Sequence, residues 1–92
     1  MKFEWDEAKN KANIRVHRID FADVPPLFEG PMVLSLDTRR NYGEERMIGI
    51  GLLRNGVVLV VFVEKGDATI RLISARKATQ NERDKFKEEI GY

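Results

Sequence analysis

Apolar and polar residues change rhythm along this chain: residues 7–17 repeat on a helical period, and from Met32 onward the period drops to two. The N-terminal Lys2 to Trp5 predicts a short strand with Phe3 and Trp5 on one face. Asp6 suits an N-cap, and Glu7 to His17 predicts a helix whose apolar members are Ala8, Ala12 and Val16. Asp20 can cap a second, shorter helix from Phe21, although Pro25-Pro26 works against it by removing a backbone donor beyond the first turn. Gly30-Pro31 closes that segment.

Met32 to Leu36 predicts a strand, followed by a polar loop over Asp37 to Gly43 and a second strand over Arg46 to Leu53. Asn55-Gly56 is a hairpin signal, because a type I′ turn needs positive φ at both central positions. Val57 to Glu64 is apolar on both faces and predicts a central strand covered on both sides, backed by the helix from Glu7 to His17. Lys65-Gly66-Asp67 turns the chain, Ala68 to Ala75 is the last strand, and Thr79 with Glu82 forms a capping box for a closing helix that ends at Gly91. That helix carries only Phe86 and Ile90 as large apolar residues, a narrow seam for packing or for docking a partner helix. The expected architecture is one α+β domain over residues 1–92, an antiparallel β-meander packed with N-terminal helices and a C-terminal helix.

Composition narrows the chemistry. Absence of cysteine removes disulfides, thiol nucleophiles and thiolate metal sites, and a single histidine makes a metal centre unexpected. The apolar run Val57 to Val63 is too short for a bilayer and the N-terminus lacks an apolar signal region, so a cytoplasmic protein is expected. A net charge of +1 gives no global attraction for nucleic acid, so any such binding must come from a local basic patch.

That patch is written in Ile70 to Ala78, a strand that delivers Arg71, Arg76 and Lys77 and then enters a helix. Guanidinium forks match phosphate geometry and stay charged at any relevant pH. Trp5, Lys9, Asn13 and His17 recur every four residues, the spacing of one helical stripe. His17 is the one side chain whose ordinary pKa permits proton transfer near neutrality. RNA carries its own nucleophile in the 2′-hydroxyl, so a protein need only align it, move protons and stabilise the charged pentacoordinate state. Arg76 and Arg71 are therefore the candidates for stabilising phosphate charge, with Lys9 and His17 beside them as catalytic candidates. Arg46, Lys65, Lys77, Trp5 and Asn13 are candidates for holding RNA. Carboxylates such as Glu64 and Glu82 could instead tie Arg71 and Arg76 into salt bridges. Whether Arg71 and Arg46 share a sheet face depends on loop lengths, since one residue of slip flips every side chain.

The series Phe3-x-Trp5-Asp6-x-x-Lys9-x-x-x-Asn13-x-x-x-His17, then Phe21, Gly43-Glu44-Glu45-Arg46, Ile48-Gly49 and Arg71-x-Ile73-Ser74-Ala75-Arg76-Lys77-Ala78-x-x-x-Glu82, resembles the BrnT toxins. The resemblance implies a RelE-like fold and ribonuclease activity in a type II toxin–antitoxin system, and the cation set with few metal-ligating residues makes that cleavage expected to be metal-independent and without cofactor. It also implies neutralisation by a BrnA-like antitoxin that supplies the DNA binding. Phe86 stands where that family often has tyrosine, and Lys65 where it often has arginine. The competing reading is a non-catalytic RNA-binding or co-repressor domain that uses the same basic face.

Overall fold

The structure is a computed structural model that describes residues 1–54 and 56–91. Its elements follow the order β1 (Lys2–Trp5), α1 (Glu7–His17), two 3₁₀ turns (Phe21–Asp23 and Pro25–Glu29), β2 (Met32–Leu36), β3 (Met47–Leu53), β4 (Gly56–Lys65), β5 (Thr69–Lys77) and α2 (Gln80–Ile90). The five strands form one sheet in the order β1-β5-β4-β3-β2. β2 to β5 pair antiparallel in succession, as the alternation predicts, but β1 joins the outer edge of β5 in parallel. The sheet is therefore mixed rather than an antiparallel meander throughout. β4 is central, with Val58, Val60 and Phe62 toward one face and Leu59 and Val61 toward the other, all buried. Each such side chain contributes about 1.5–3 kcal/mol on burial, which is why the run with no polar face takes the middle of the sheet.

The cover on the first face differs from expectation. α1 buries no large apolar residue, and Val16 is 64% exposed. Phe21 and Leu27 from the two 3₁₀ turns, with Val24 between the turns, fill the space over β4 and β5 instead, fully buried. The prolines explain this: Pro25 and Pro26 occupy the first positions of the second turn, where their missing N–H groups are harmless. On the opposite face α2 inserts Phe86 among Val33, Ile50, Leu59 and Val61. Phe86 is 0% exposed, so the apolar seam expected as a partner contact is part of the core.

α1 is fastened by two buried asparagines. β1 leaves the edge of β5 after the Trp5–Leu72 pair, and the backbone of Ala75 would be bare beyond it. Asn13 fills the gap like a peptide unit: its Nδ2 donates to the Ala75 carbonyl at 2.9 Å and its Oδ1 accepts from the Ala75 N–H at 3.0 Å. Nδ2 also donates to the carbonyl of Ile19 at 2.9 Å. Asn10 does the equivalent for the first 3₁₀ turn, donating to Asp20 and accepting from the Phe21 N–H. Mid-helix asparagine is unfavourable on propensity alone, and these bonds are the reason for it here.

The hairpins are offset by one residue from the expected register. Leu53 pairs with Gly56, where a turn centred on Asn55-Gly56 would pair Arg54 with Val57, and Arg54 takes the left-handed φ of 54°. The Asn55 half of the expected type I′ turn lies outside the described residues. The next loop does hold three residues, 66–68, between the Lys65–Thr69 pair.

Candidate functional site

β5 positions the cations through an irregularity. Arg71 and Arg76 are five residues apart, and in a regular strand an odd separation sends two side chains to opposite faces. Val61 pairs with Ser74 while Phe62 pairs with Leu72, leaving Ile73 as an extra residue on β5. This bulge restores the parity. Arg71 pairs with Val63 and Arg76 with Leu59, two odd-numbered β4 residues that share the face covered by α2. Ile70, Leu72 and Ala75 are thereby turned together into the core on the other face. Arg76 lies inside the strand rather than beyond its end, because β5 continues to Lys77.

Arg46 joins the same row. Extending the Met47–Phe62 register by one residue sets Arg46 opposite Val63, and Val63 is itself paired with Arg71. Glu44 bridges the two guanidiniums: Arg71 Nη2 donates to its two oxygens at 2.5 and 2.7 Å, and Arg46 Nε donates to Oε2 at 3.1 Å. Arg71 first, then Arg46, holds the Glu44 carboxyl below its ordinary pKa. The Arg46 guanidinium also sits over the ring of Tyr42, 4.1 Å from its centroid.

Arg76 is gripped from α2. Its Nη1 and Nη2 donate to Glu82 at 2.9 Å each, a bidentate pair, while the same carboxylate accepts the Thr79 N–H at 2.8 Å in the capping box. The Arg76 hydrogen bonds are the chief reason that the Glu82 carboxyl titrates near 2, against the opposing effect of burial. Arg39 is a further member that the sequence gave no reason to single out. It donates twice at 2.8 Å to the buried Asp37 and lies close enough to Arg76 for the two charges to repel. Its signal, a doublet with Arg40 in a polar loop, was no different from solvated surface.

The α1 candidates separate into two kinds. Lys9 and His17 face a continuous groove between α1 and β5. One part, of about 210 Å³, is lined by Asp6, Lys9, Arg46, Arg71, Leu72 and Ile73. The adjoining part, of about 240 Å³, is lined by Lys9, Ala12, Asn13, Val16, His17, Ile73 and Ser74. Lys9 is exposed, and among the described residues neither it nor His17 has a side-chain hydrogen-bond or ion-pair partner. Asn13 is 5% exposed, with both donors and its acceptor engaged by backbone, so it fastens the fold beneath the groove. Trp5 belongs to β1 and not to a helical stripe; its ring packs edge-on against Phe21 and its Nε1 donates to Glu7 at 2.6 Å. Lys65 pairs with Glu4 at 2.8 Å at the exposed far end of the sheet, and Lys77 lines a separate cleft near the start of α2.

The family described as "Ribonuclease toxin, BrnT, of type II toxin-antitoxin system" matches residues 5–82. Among solved structures, the chain is similar to the Brucella abortus ribonuclease toxin BrnT, with a TM-score of 0.68 and 30% identity, covering 87% of this chain and 99% of that one. No curated protein matches the chain.

Proposed function

The chain belongs to the BrnT family of ribonuclease toxins of type II toxin–antitoxin systems, and from that membership we propose that it cleaves RNA in the groove between α1 and β5. The observation that carries the proposal is the meeting of Arg46 and Arg71 at one carboxylate beside the unpaired Lys9, with His17 further along the same groove. Glu44 occupies the position of a phosphate. An incoming phosphodiester takes over the Arg71 fork, and Lys9 adds a third positive charge. The apolar Val16 and Ile73 give the sugar and base a surface between the charged ends.

The reaction is transesterification by the RNA's own 2′-hydroxyl. The arginines stabilise charge as it develops on the non-bridging phosphate oxygens; the attacking 2′-hydroxyl loses a proton and the leaving 5′-oxygen gains one, with His17 carrying out one of these transfers and water the other. No step needs a metal. The protein has a RelE-like fold and acts in the cytoplasm, and a BrnA-like, DNA-binding antitoxin covers the basic groove with acidic side chains. Electrostatic attraction speeds that encounter and competes with RNA for the same cations. Purified protein should cut RNA in EDTA, leaving 2′,3′-cyclic phosphate or 3′-phosphate ends. Activity lost on chelation and restored by magnesium or zinc would overturn the mechanism.

The ion pairs favour one other reading. Arg39, Arg46, Arg71 and Arg76 are each held by a carboxylate, as suits a rigid electrostatic platform that binds RNA or a co-repressor without cutting.

A further inference from the structure

A second cleft opens where α1 ends, between the β3–β4 hairpin and the start of α2. Its volume of about 490 Å³ is in the range of small-molecule sites and roughly twice that of either part of the groove. Ile19, Leu53 and Val57 provide an apolar floor, and Arg18, Lys77 and Arg83 bring positive charge to the rim. Two carboxylates also line it, but both are engaged. Asp20 accepts from the Ala22 N–H and from Asn10, and Asp23 lies 3.6 Å from Arg54. Among the described residues, the side chains of Arg18 and Lys77 have no hydrogen-bond or ion-pair partner, whereas Arg83 is held by the Ala78 carbonyl and Gln80. The cleft thus carries two uncommitted cations above an apolar surface.

Its position relates it to the groove. His17 lines the groove and the next residue, Arg18, lines the cleft, in a left-handed turn with φ of 61°. Arg71 and Lys77 mark the two ends, separated by about 20 Å along β5, further than a single nucleotide reaches. We propose that the cleft is a second RNA subsite, holding a phosphate-bearing nucleotide beyond the bond that is cut. The base lies on Ile19, Leu53 and Val57 and the phosphate between Arg18 and Lys77. Such a site takes any base, because stacking and apolar contact do not read hydrogen-bonding edges. This inference rests on the ribonuclease reading for its substrate.

The test uses the full chain with a 2′-O-methyl RNA octamer, which cannot be cut, and with cleavable octamer and dinucleotide substrates. Arg18→Asn keeps a residue that tolerates the left-handed turn while removing the charge, and Lys77→Gln removes the second cation. Each variant should weaken octamer binding about fivefold and lower the salt dependence by about 0.7 in log–log slope, with circular dichroism unchanged. The ratio of kcat/KM on octamer to that on dinucleotide should fall in parallel. Wild-type protein that cuts RNA, with octamer binding and that ratio indifferent to both variants, overturns the subsite and leaves the ribonuclease reading standing. Protein that never cuts, yet binds the octamer in a way that depends on Arg18 and Lys77, does the reverse. Adenosine monophosphate bound as tightly as the octamer would make the cleft a free-nucleotide pocket and overturn the proposal. So would variants that weaken only association with the antitoxin.

Discussion

At the scale of single residues, charge and shape make different demands at the same position. Arg76 offers a planar fork to Glu82, and lysine at that position keeps the charge but not the two parallel bonds. If Arg76 stabilises a transition state, Arg76→Lys should lose rate with little change in RNA affinity, and Arg76→Ala should lose about 2.7–4 kcal/mol of transition-state stabilisation and relieve growth inhibition. Single-turnover cleavage beside anisotropy binding separates these quantities. An unaltered rate in both variants would return Arg76 to a purely structural ion pair. Asn13 makes the opposite kind of prediction, about stability and not rate. Asn13→Ala leaves the N–H and C=O of the buried Ala75 unpaired, so the urea midpoint should report a loss of about 2–4 kcal/mol. Asn13→Asp should be no better, because a carboxylate cannot donate to Ala75 or Ile19.

At the scale of elements, the boundary of α2 links folding to the site. Glu82 completes the capping box and holds Arg76, so its ionisation serves helix and strand together. Its folded pKa is depressed to about 2 from an ordinary 4.5. The stability it lends is therefore complete above pH 4.5 and disappears as pH falls through 2. Urea titrations across that window should show a declining midpoint, and Glu82→Gln should flatten part of the decline. Because the pair is about a third exposed, the effect should be on the order of 1 kcal/mol. This capping box was legible in the sequence, as were the strands and the central place of Val57 to Glu64, because local chemistry and periodicity specify them. Two things were not. The bulge at Ile73 follows from tertiary pairing and has no residue signature, so the shared face of Arg71 and Arg76 could not be read. The Trp5–Lys9–Asn13–His17 spacing looked like one stripe, but Trp5 precedes the N-cap and Asn13 turns inward to an edge that only the parallel pairing of β1 leaves open.

At the scale of the whole molecule, the cations are concentrated while the total charge stays at +1. Three carboxylates hold the four arginines, which keeps the cluster compact without RNA and limits its long-range field. Binding should therefore depend on salt through a few phosphates only. About 0.7 of log–log slope per neutralised phosphate gives about 2–3 in total for single-stranded RNA, and Lys9→Gln should remove about 0.7 of it. A slope unaffected by Lys9→Gln would place the RNA elsewhere on the surface.

The extra residue at Ile73 has a genetic consequence. It makes the two key arginines depend on a count of residues and not only on their identities. Removing one residue between Arg71 and Arg76 would straighten β5 at an even separation of four and leave both arginines on one face, whereas adding one, with the single bulge kept, would send one arginine to the wrong face with every other side chain of the cluster still encoded. Selection for cells that survive expression of this chain should therefore recover single-codon insertions in that interval more readily than single-codon deletions. Some of these insertions would be suppressed by deleting one residue elsewhere in the same short span.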